Sequence, residues 1–490
     1  MTHLPVLIVV TPLLAGAISV LLNNRKSAWL ITLLTSFFCF YASINLMLMV
    51  QEVDVLSYTL GGWNAPLGIE LRIDALSALM LLILTGSALL VSIYALKSVE
   101  KEIPEHNQVF FYTALLMVLA GLIGISITGD AFNIFVFLEI SSLSTYALIS
   151  LGRDRRALHA SYQYLIMGTI GATFILIGIG FMYVMTGTLN IQDLSQRLPA
   201  VADTNAIRAA FAFITIGAGI KAAMLPLHQW LPNAYTYSPS VVSTFLAATA
   251  TKVAVYVMIR FKLSLFGIEF SLLQIPFDKI LMILGTIGIL GGSIYAVYQS
   301  NVKRMLAYSS IAQIGYILLA IGLASQPGFT AALLHIFNHA LIKGTLFMAL
   351  GIIYFRFAST ELSVMSGIGK TMPLTMAAFL IGGLSLIGVP GTAGFVSKWY
   401  LVTALLDASL WPLALLILVA SVLTLIYVGR VIEVAYFRPV PDGRTRQKVP
   451  QTMIVALWIF ALSNIYFGLD SDISLGISSL AVNQLIGITP

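Results

Sequence analysis

Apolar runs about as long as a bilayer core is thick dominate this chain. A spanning helix needs roughly 20 consecutive apolar residues. Fourteen such runs start near residues 4, 29, 74, 110, 131, 160, 207, 239, 279, 305, 329, 372, 410 and 452, the seventh and twelfth of them interrupted. They predict an all-α integral membrane protein with about 14 transmembrane helices. No hydrophilic stretch exceeds about 25 of the 490 residues, so no separate soluble domain is expected. The start, MTHLPVLIVV, lacks a basic region and a small-residue cleavage site, so the first run is expected to remain as a span.

Composition narrows the function. Only 9% of the residues are charged, and 59% are hydrophobic. A lone Cys39 leaves no internal disulfide and no thiolate-held cluster. No glycine-rich phosphate loop follows a strand, so nucleotide binding is not expected, and neither is any cofactor. The net charge of +6 does not signal nucleic acid. The odd-numbered connections between runs carry 16 of the 26 basic residues, among them Arg25, Lys101, Lys303, Arg444 and Arg446. The opposite side carries Arg72, Arg197, Arg208, Arg260, Lys262 and Lys279. Basic residues favour cytoplasmic loops. The odd connections are therefore expected in the cytoplasm and both termini outside.

Residues 51–73 alternate between turn signals and short strands and read as an external hairpin. Residues 187–206 suit a short amphipathic segment on the same face. The tail after about residue 470 is too mixed to span again.

Two runs are broken. The seventh contains Pro226 and Pro232, and the twelfth contains Pro390 between glycines. Irregular backbone at membrane depth survives only inside protein or beside a wet cavity. Two broken helices five runs apart point to inverted repeats with ion sites at the breaks. The expected division follows. Residues 1–109 hold helices 1–3 and the hairpin. Residues 110–262 form a first repeat of helices 4–8, and 263–440 a second of helices 9–13. Residues 441–490 hold a cytoplasmic loop, helix 14 and the external C-terminus.

Charges inside the runs carry the functional signal, because a charge at bilayer depth costs several kcal/mol and usually marks an ion pathway. Glu139 is the only acid placed at that depth, with an edge position as its alternative. Lys221, before the first break, is its natural partner, and together they make a switchable pair. Lys252 reads as a proton relay or as a lysine snorkelling to the interface. Desolvated lysines can release a proton and arginines cannot. His335, His339 and Lys343 recur at every fourth residue and line one helix face, at about 6 Å per step. That stripe reads as a proton wire, a structural polar stripe or, with no third ligand evident, a zinc site. His228 follows the first break as a proton-uptake residue or a simple cap. Lys398, after the second break, reads as an exit site or a packing lysine.

Six stretches carry a family resemblance: FLEISSLSTYAL, ALHASYQYLIMGTIGATFILIGIGFMY, GIKAAMLPLHQWLPNAYTYSPSVVSTFLAATATKVAVY, NVKRMLAYSSIAQIGY, HIFNHALIKGTLFM and GVPGTAGFVSKWYL. Together they resemble the antiporter-like membrane subunits shared by respiratory complex I, energy-converting hydrogenases and multi-subunit Mrp cation/proton antiporters. The resemblance implies fourteen helices in two inverted five-helix repeats. It also implies proton-path roles for Glu139, Lys221, Lys252, His335, His339 and Lys398. TGTLN and GVPGTAGFVSKWYL are most similar to the D-type member of Mrp antiporters, which implies a proton-translocating subunit of a sodium/proton antiporter. The alternative is a proton-pumping subunit of a redox complex. Either implies membrane-subunit partners, protons as a transported ion and no nucleic acid; the antiporter reading adds sodium.

Overall fold

Nearly every long apolar run of the sequence is one helix in the computed structural model, which describes residues 3–267, 276–443 and 448–487. Two basic loop positions, Arg444 and Arg446, lie outside the described residues. The helices are α1 (Leu4–Leu22), α2 (Arg25–Val53), α3 (Ala75–Glu102), α4 (Gln108–Ile127), α5 (Ala131–Ser150) and α6 (Arg156–Thr186). After them come α7 (Ile191–Arg197), α8 (Asn205–Lys221), α9 (Trp230–Tyr237), α10 (Ser240–Ala248) and α11 (Ala250–Ile259). The second half holds α12 (Phe277–Val297), α13 (Val302–Gly322), α14 (Gln326–Phe357), α15 (Pro373–Ile387) and α16 (Ala393–Asp407). The chain ends with α17 (Trp411–Tyr436), α18 (Gln451–Leu469) and α19 (Asp472–Ile486). Among the described residues, twelve helices are long and apolar enough to cross a membrane, fewer than the fourteen runs of the sequence. The difference lies at the two breaks, where each run becomes two shorter helices.

Short polar residues start many of these helices. Asn24, Asp74, Asp130, Asn190 and Asn301 each accept a hydrogen bond from a backbone amide in the first turn of the helix that follows. Such caps satisfy donors that a helix cannot satisfy itself. They let tight connections turn between spans.

The expected hairpin is present as β1 (Leu56–Thr59) paired antiparallel with β2 (Glu70–Ile73). The expected amphipathic segment holds α7. The tail after residue 470 is not loose: α19 packs on α3 and α14, and Gln484 accepts from the Ala75 amide at 2.9 Å.

One connection pattern occurs twice. Ala131 N donates to Leu189 O at 2.8 Å, and Ile191 N donates to Gly129 O at 2.9 Å. Val302 N donates to Thr360 O at 2.9 Å, and Leu362 N donates to Ser300 O at 2.9 Å. Each bridge ties the loop before one helix, α5 or α13, to the loop after the next, α6 or α14.

The two breaks differ from their sequence reading in detail. The first covers residues 222–229, where Ala223 has φ +57°. Pro226 lies inside it, but Pro232 is the third residue of α9. His228 lies within the break rather than after it. The second break covers residues 388–392, with Gly388 and Gly391 at φ +89° and +81°, a region that glycine enters without a Cβ clash. A third discontinuity, at Thr249, has neither proline nor glycine. Thr249 (φ −125°, ψ −59°) separates α10 from α11.

Candidate functional site

The C-terminal ends of interrupted helices position three of the four intramembrane lysines. Lys221 is the last residue of α8. Lys252 sits one turn past the Thr249 discontinuity, and its Nζ donates to Ala247 O at the end of α10. Lys398 Nζ reaches back across the second break to Leu386 O at 3.0 Å and Ile387 O at 2.8 Å, the last carbonyls of α15. Terminal carbonyls lack intrahelical partners and carry the negative end of the helix dipole. An ammonium fits there. Lys343 is held differently: its Nζ donates to Leu306 O at 2.8 Å and to Ser309 Oγ at 2.6 Å, both on α13. The four lysines are between 0% and 6% exposed. None forms an ion pair among the described residues, and Lys252 is enclosed rather than snorkelling.

Glu139 and Lys221 do not form the expected contact in this structure. Lys221 Nζ donates instead to Ser142 Oγ at 2.7 Å, three residues along α5 from Glu139. Glu139 Oε1 is buried with no hydrogen-bond partner. The charge of Glu139 still acts on Lys221. Serine keeps the pair open.

The α14 stripe is intact. His335 and His339 stack, with ring centroids 6.0 Å apart and planes 10° apart. His335 Nδ1 shares a 2.8 Å hydrogen bond with Ser397 Oγ on α16. Neither nitrogen of His339 has a partner, nor does Nε2 of His335. The charges of Lys252 and Lys343 act on His339, and those of Lys252 and Lys398 act on His335. A divalent cation between these imidazoles would face that positive charge, so the stripe is poorly suited to zinc. Tyr316 stands between the stripe and Lys398: its ring is 5.7 Å from His335, and Lys398 Nζ is 5.1 Å from its centroid. His228 is half-buried in the first break, with Nδ1 unpartnered.

The structure thus brings Lys252, His339, His335, Lys343 and Lys398 into one electrostatic group, with Glu139 and Lys221 as a second. Several polar partners carry no signal in the sequence. Ser142, Ser309, Ser397 and Ser421 (3.2 Å from Lys398 Nζ) are ordinary serines until the helices pack. Three basic residues assigned to loops or helix ends are in fact buried. Arg260 makes a bidentate ion pair with Asp74, Lys262 pairs with Asp278, and Lys303 donates to Ser238 O at 3.2 Å.

The chain is similar to known proteins over most of its length. A family model described as NADH:quinone oxidoreductase/Mrp antiporter, TM, matches residues 128–424. The NADH-quinone oxidoreductase subunit N of Desulforudis audaxviator is 40% identical over 486 residues, covering 96% of each chain. The D-type polypeptide of the Na(+)/H(+) antiporter of Bacillus subtilis is 30% identical over 473 residues, covering 90% of this chain and 93% of that one. A chain of the Mrp complex of a Dietzia species superposes with a TM-score of 0.91 at 26% identity, over 100% of this chain and 98% of that one. These relatives are subunits of multi-subunit membrane assemblies, and this multi-pass chain is built to be one too. The chain belongs to the NADH:quinone oxidoreductase/Mrp antiporter family of membrane subunits.

Proposed function

We propose that this chain translocates protons across the prokaryotic cytoplasmic membrane as one subunit of a larger complex. One observation carries the reading. Four buried lysines are held by carbonyls and hydroxyls, with no ion-paired carboxylate among the described residues fixing their charge. A desolvated lysine without a counterion gives up its proton readily. The proposed route runs from Lys221 through Lys252, His339, His335 and Lys343 to Lys398. Glu139 acts as the switch on Lys221, and His228 lies at the first break as an uptake residue. Charged groups at membrane depth are costly, and this route gives them a use.

The two loop bridges support the inverted-repeat division into 110–262 and 263–440. Five crossing segments separate them on that reading, an odd number, which sets equivalent bridges on opposite faces. Odd connections then face the cytoplasm, and both termini face outside.

The proposed driving partner is an Mrp-type sodium/proton antiporter assembly, with this chain as the D-type subunit. The 40% identity to a quinone oxidoreductase subunit supports a second reading, in which redox subunits drive the same path. Gentle purification of the tagged complex from native membranes separates the two. Small hydrophobic partners alone favour the antiporter, and flavin or iron–sulfur subunits favour the redox pump. The proton path is tested by reconstituting the complex in vesicles and following internal pH. Lys252→Met should stop proton flux in an assembled complex, and unchanged flux overturns the path.

A further inference from the structure

A cavity of about 230 Å³ opens among the odd-numbered connections, away from the lysine row. Its walls include Glu102, Arg153, Ser238, Lys303 and Tyr354. Two ionisable groups there are almost fully buried, Glu102 at the end of α3 and Lys303 at the start of α13. Glu102 accepts from Ser98 Oγ at 2.7 Å, Ser240 N at 2.9 Å and Ser240 Oγ at 3.1 Å. Lys303 Nζ donates to Ser238 O and stands 5.4 Å from the ring centroid of Tyr354. The two form no ion pair, yet Glu102 is the acid whose charge acts on Lys303. As with Glu139 and Lys221, an acid and a lysine act on each other without forming an ion pair, the lysine resting on a serine group.

Both elements lead inward. On α13, Leu306 lies three residues beyond Lys303 on the same face, a rise of about 4.5 Å. Its carbonyl, with Ser309 Oγ, holds Lys343. On α10, Ala247 lies seven residues, about 10 Å, beyond Ser240 on the same face, and its carbonyl holds Lys252. The cavity thus ends on Lys303, which shares α13 with the partners of Lys343, and on Glu102, which accepts from Ser240 at the start of the helix whose end holds Lys252.

We propose that Glu102 and Lys303 form a second acid–lysine couple through which protons pass between this cavity and Lys343. The proposal rests on the proton-translocating reading above. In each cycle the Lys303 ammonium loses one proton, and the neutral Lys343 amine gains it. The neutral Lys303 amine then takes a proton from hydronium in the cavity, leaving water. Glu102, fixed in place by its three hydrogen bonds from Ser98 and Ser240, faces the couple throughout.

The test uses the full complex in vesicles. Lys303→Arg keeps the positive charge but holds its proton at all working pH values. It should lower proton flux by about a hundredfold, the scale of a lost acid–base group. Glu102→Gln, which keeps an acceptor for Ser240 N, should lower it less. Lys343→Met is measured beside them. Loss of flux in Lys343→Met with wild-type flux in Lys303→Arg overturns the couple and leaves the lysine row standing. Wild-type flux in both overturns the row itself. If Lys303→Arg does not assemble, Lys303→Gln is read in its place, and wild-type flux there overturns the couple equally.

Discussion

Lys221 donates to Ser142 at 2.7 Å and leaves Glu139, one turn earlier on the same helix as that serine, without a partner. The pair is captured open, and the serine is what holds it so. Hydrogen bonds to charged groups contribute about 1.5–3 kcal/mol. Ser142→Ala should therefore let the ammonium move to Glu139 and lower proton flux by about tenfold. Glu139→Gln should abolish coupled transport outright. Both proteins should assemble, as judged by co-purification of their partners. Normal flux in Ser142→Ala would remove the serine from the switch.

Lys398 bridges the second break through two carbonyls of α15. Lys398→Met keeps the volume and removes the charge. Removing an unpaired buried charge relieves its desolvation cost, which offsets the two carbonyl hydrogen bonds lost with it. The complex should therefore melt at an unchanged or higher temperature while proton flux is lost. A large fall in melting temperature with residual flux would make Lys398 a packing residue, the alternative that the sequence leaves open.

The uneven legibility of this fold has physical causes. Spans are legible because a bilayer demands one long apolar run per helix. The two proline breaks are legible because proline forfeits a donor. The Thr249 discontinuity is not. The Thr249 hydroxyl bonds back to Phe245 O at 2.6 Å, but Thr32 and Thr85 make the same bond inside unbroken helices, so the residue type carries no signal of a break. Glu139, Lys221, Lys252, Lys343 and Lys398 stand out because charge is rare at depth. Ser142 and Ser397 do not, since serine is common in helices and gains its role only from a neighbouring helix. Lys303 reads as a loop residue because it follows the cap residue Asn301 by two positions. The packing of α13 against α9 and α14, which buries it, is a tertiary fact.

Gly168 on α6 is a close-approach position. A Cβ there would lie 2.0 Å from Tyr146 Oη and 3.3 Å from Lys221 Nζ. Tyr146 cannot swing away easily: its ring packs edge-on against Tyr164, which stacks on Trp230 at 4.1 Å. Gly168→Ala should thus disturb the Lys221 site, costing about 1–3 kcal/mol of stability, the usual range for overpacking, and most of the flux. Adding Tyr146→Phe removes the clashing oxygen and should recover part of both. If the double variant is no better than the single, the clash is not the cause.

The even-numbered face has its own fastener. Asp74 caps α3 by accepting from Ser77 N at 2.9 Å, and it pairs with Arg260, whose Nη2 also reaches Ser77 Oγ at 3.0 Å. Arg260 follows α11, so the pair ties the start of α3 to the far end of the helix that carries Lys252. Glu102 ties the other end of α3 to the start of α10 through Ser240. Removing one partner of a buried pair costs about 3–5 kcal/mol, because the other charge is stranded. Asp74→Asn keeps a capping side chain and loses the pair, so it separates the two roles. It should lower the melting temperature of the purified complex clearly, while Asp74→Asn with Arg260→Leu should recover much of the loss. If Asp74→Asn melts like the wild type, the cap is what matters at Asp74 and the ion pair contributes little.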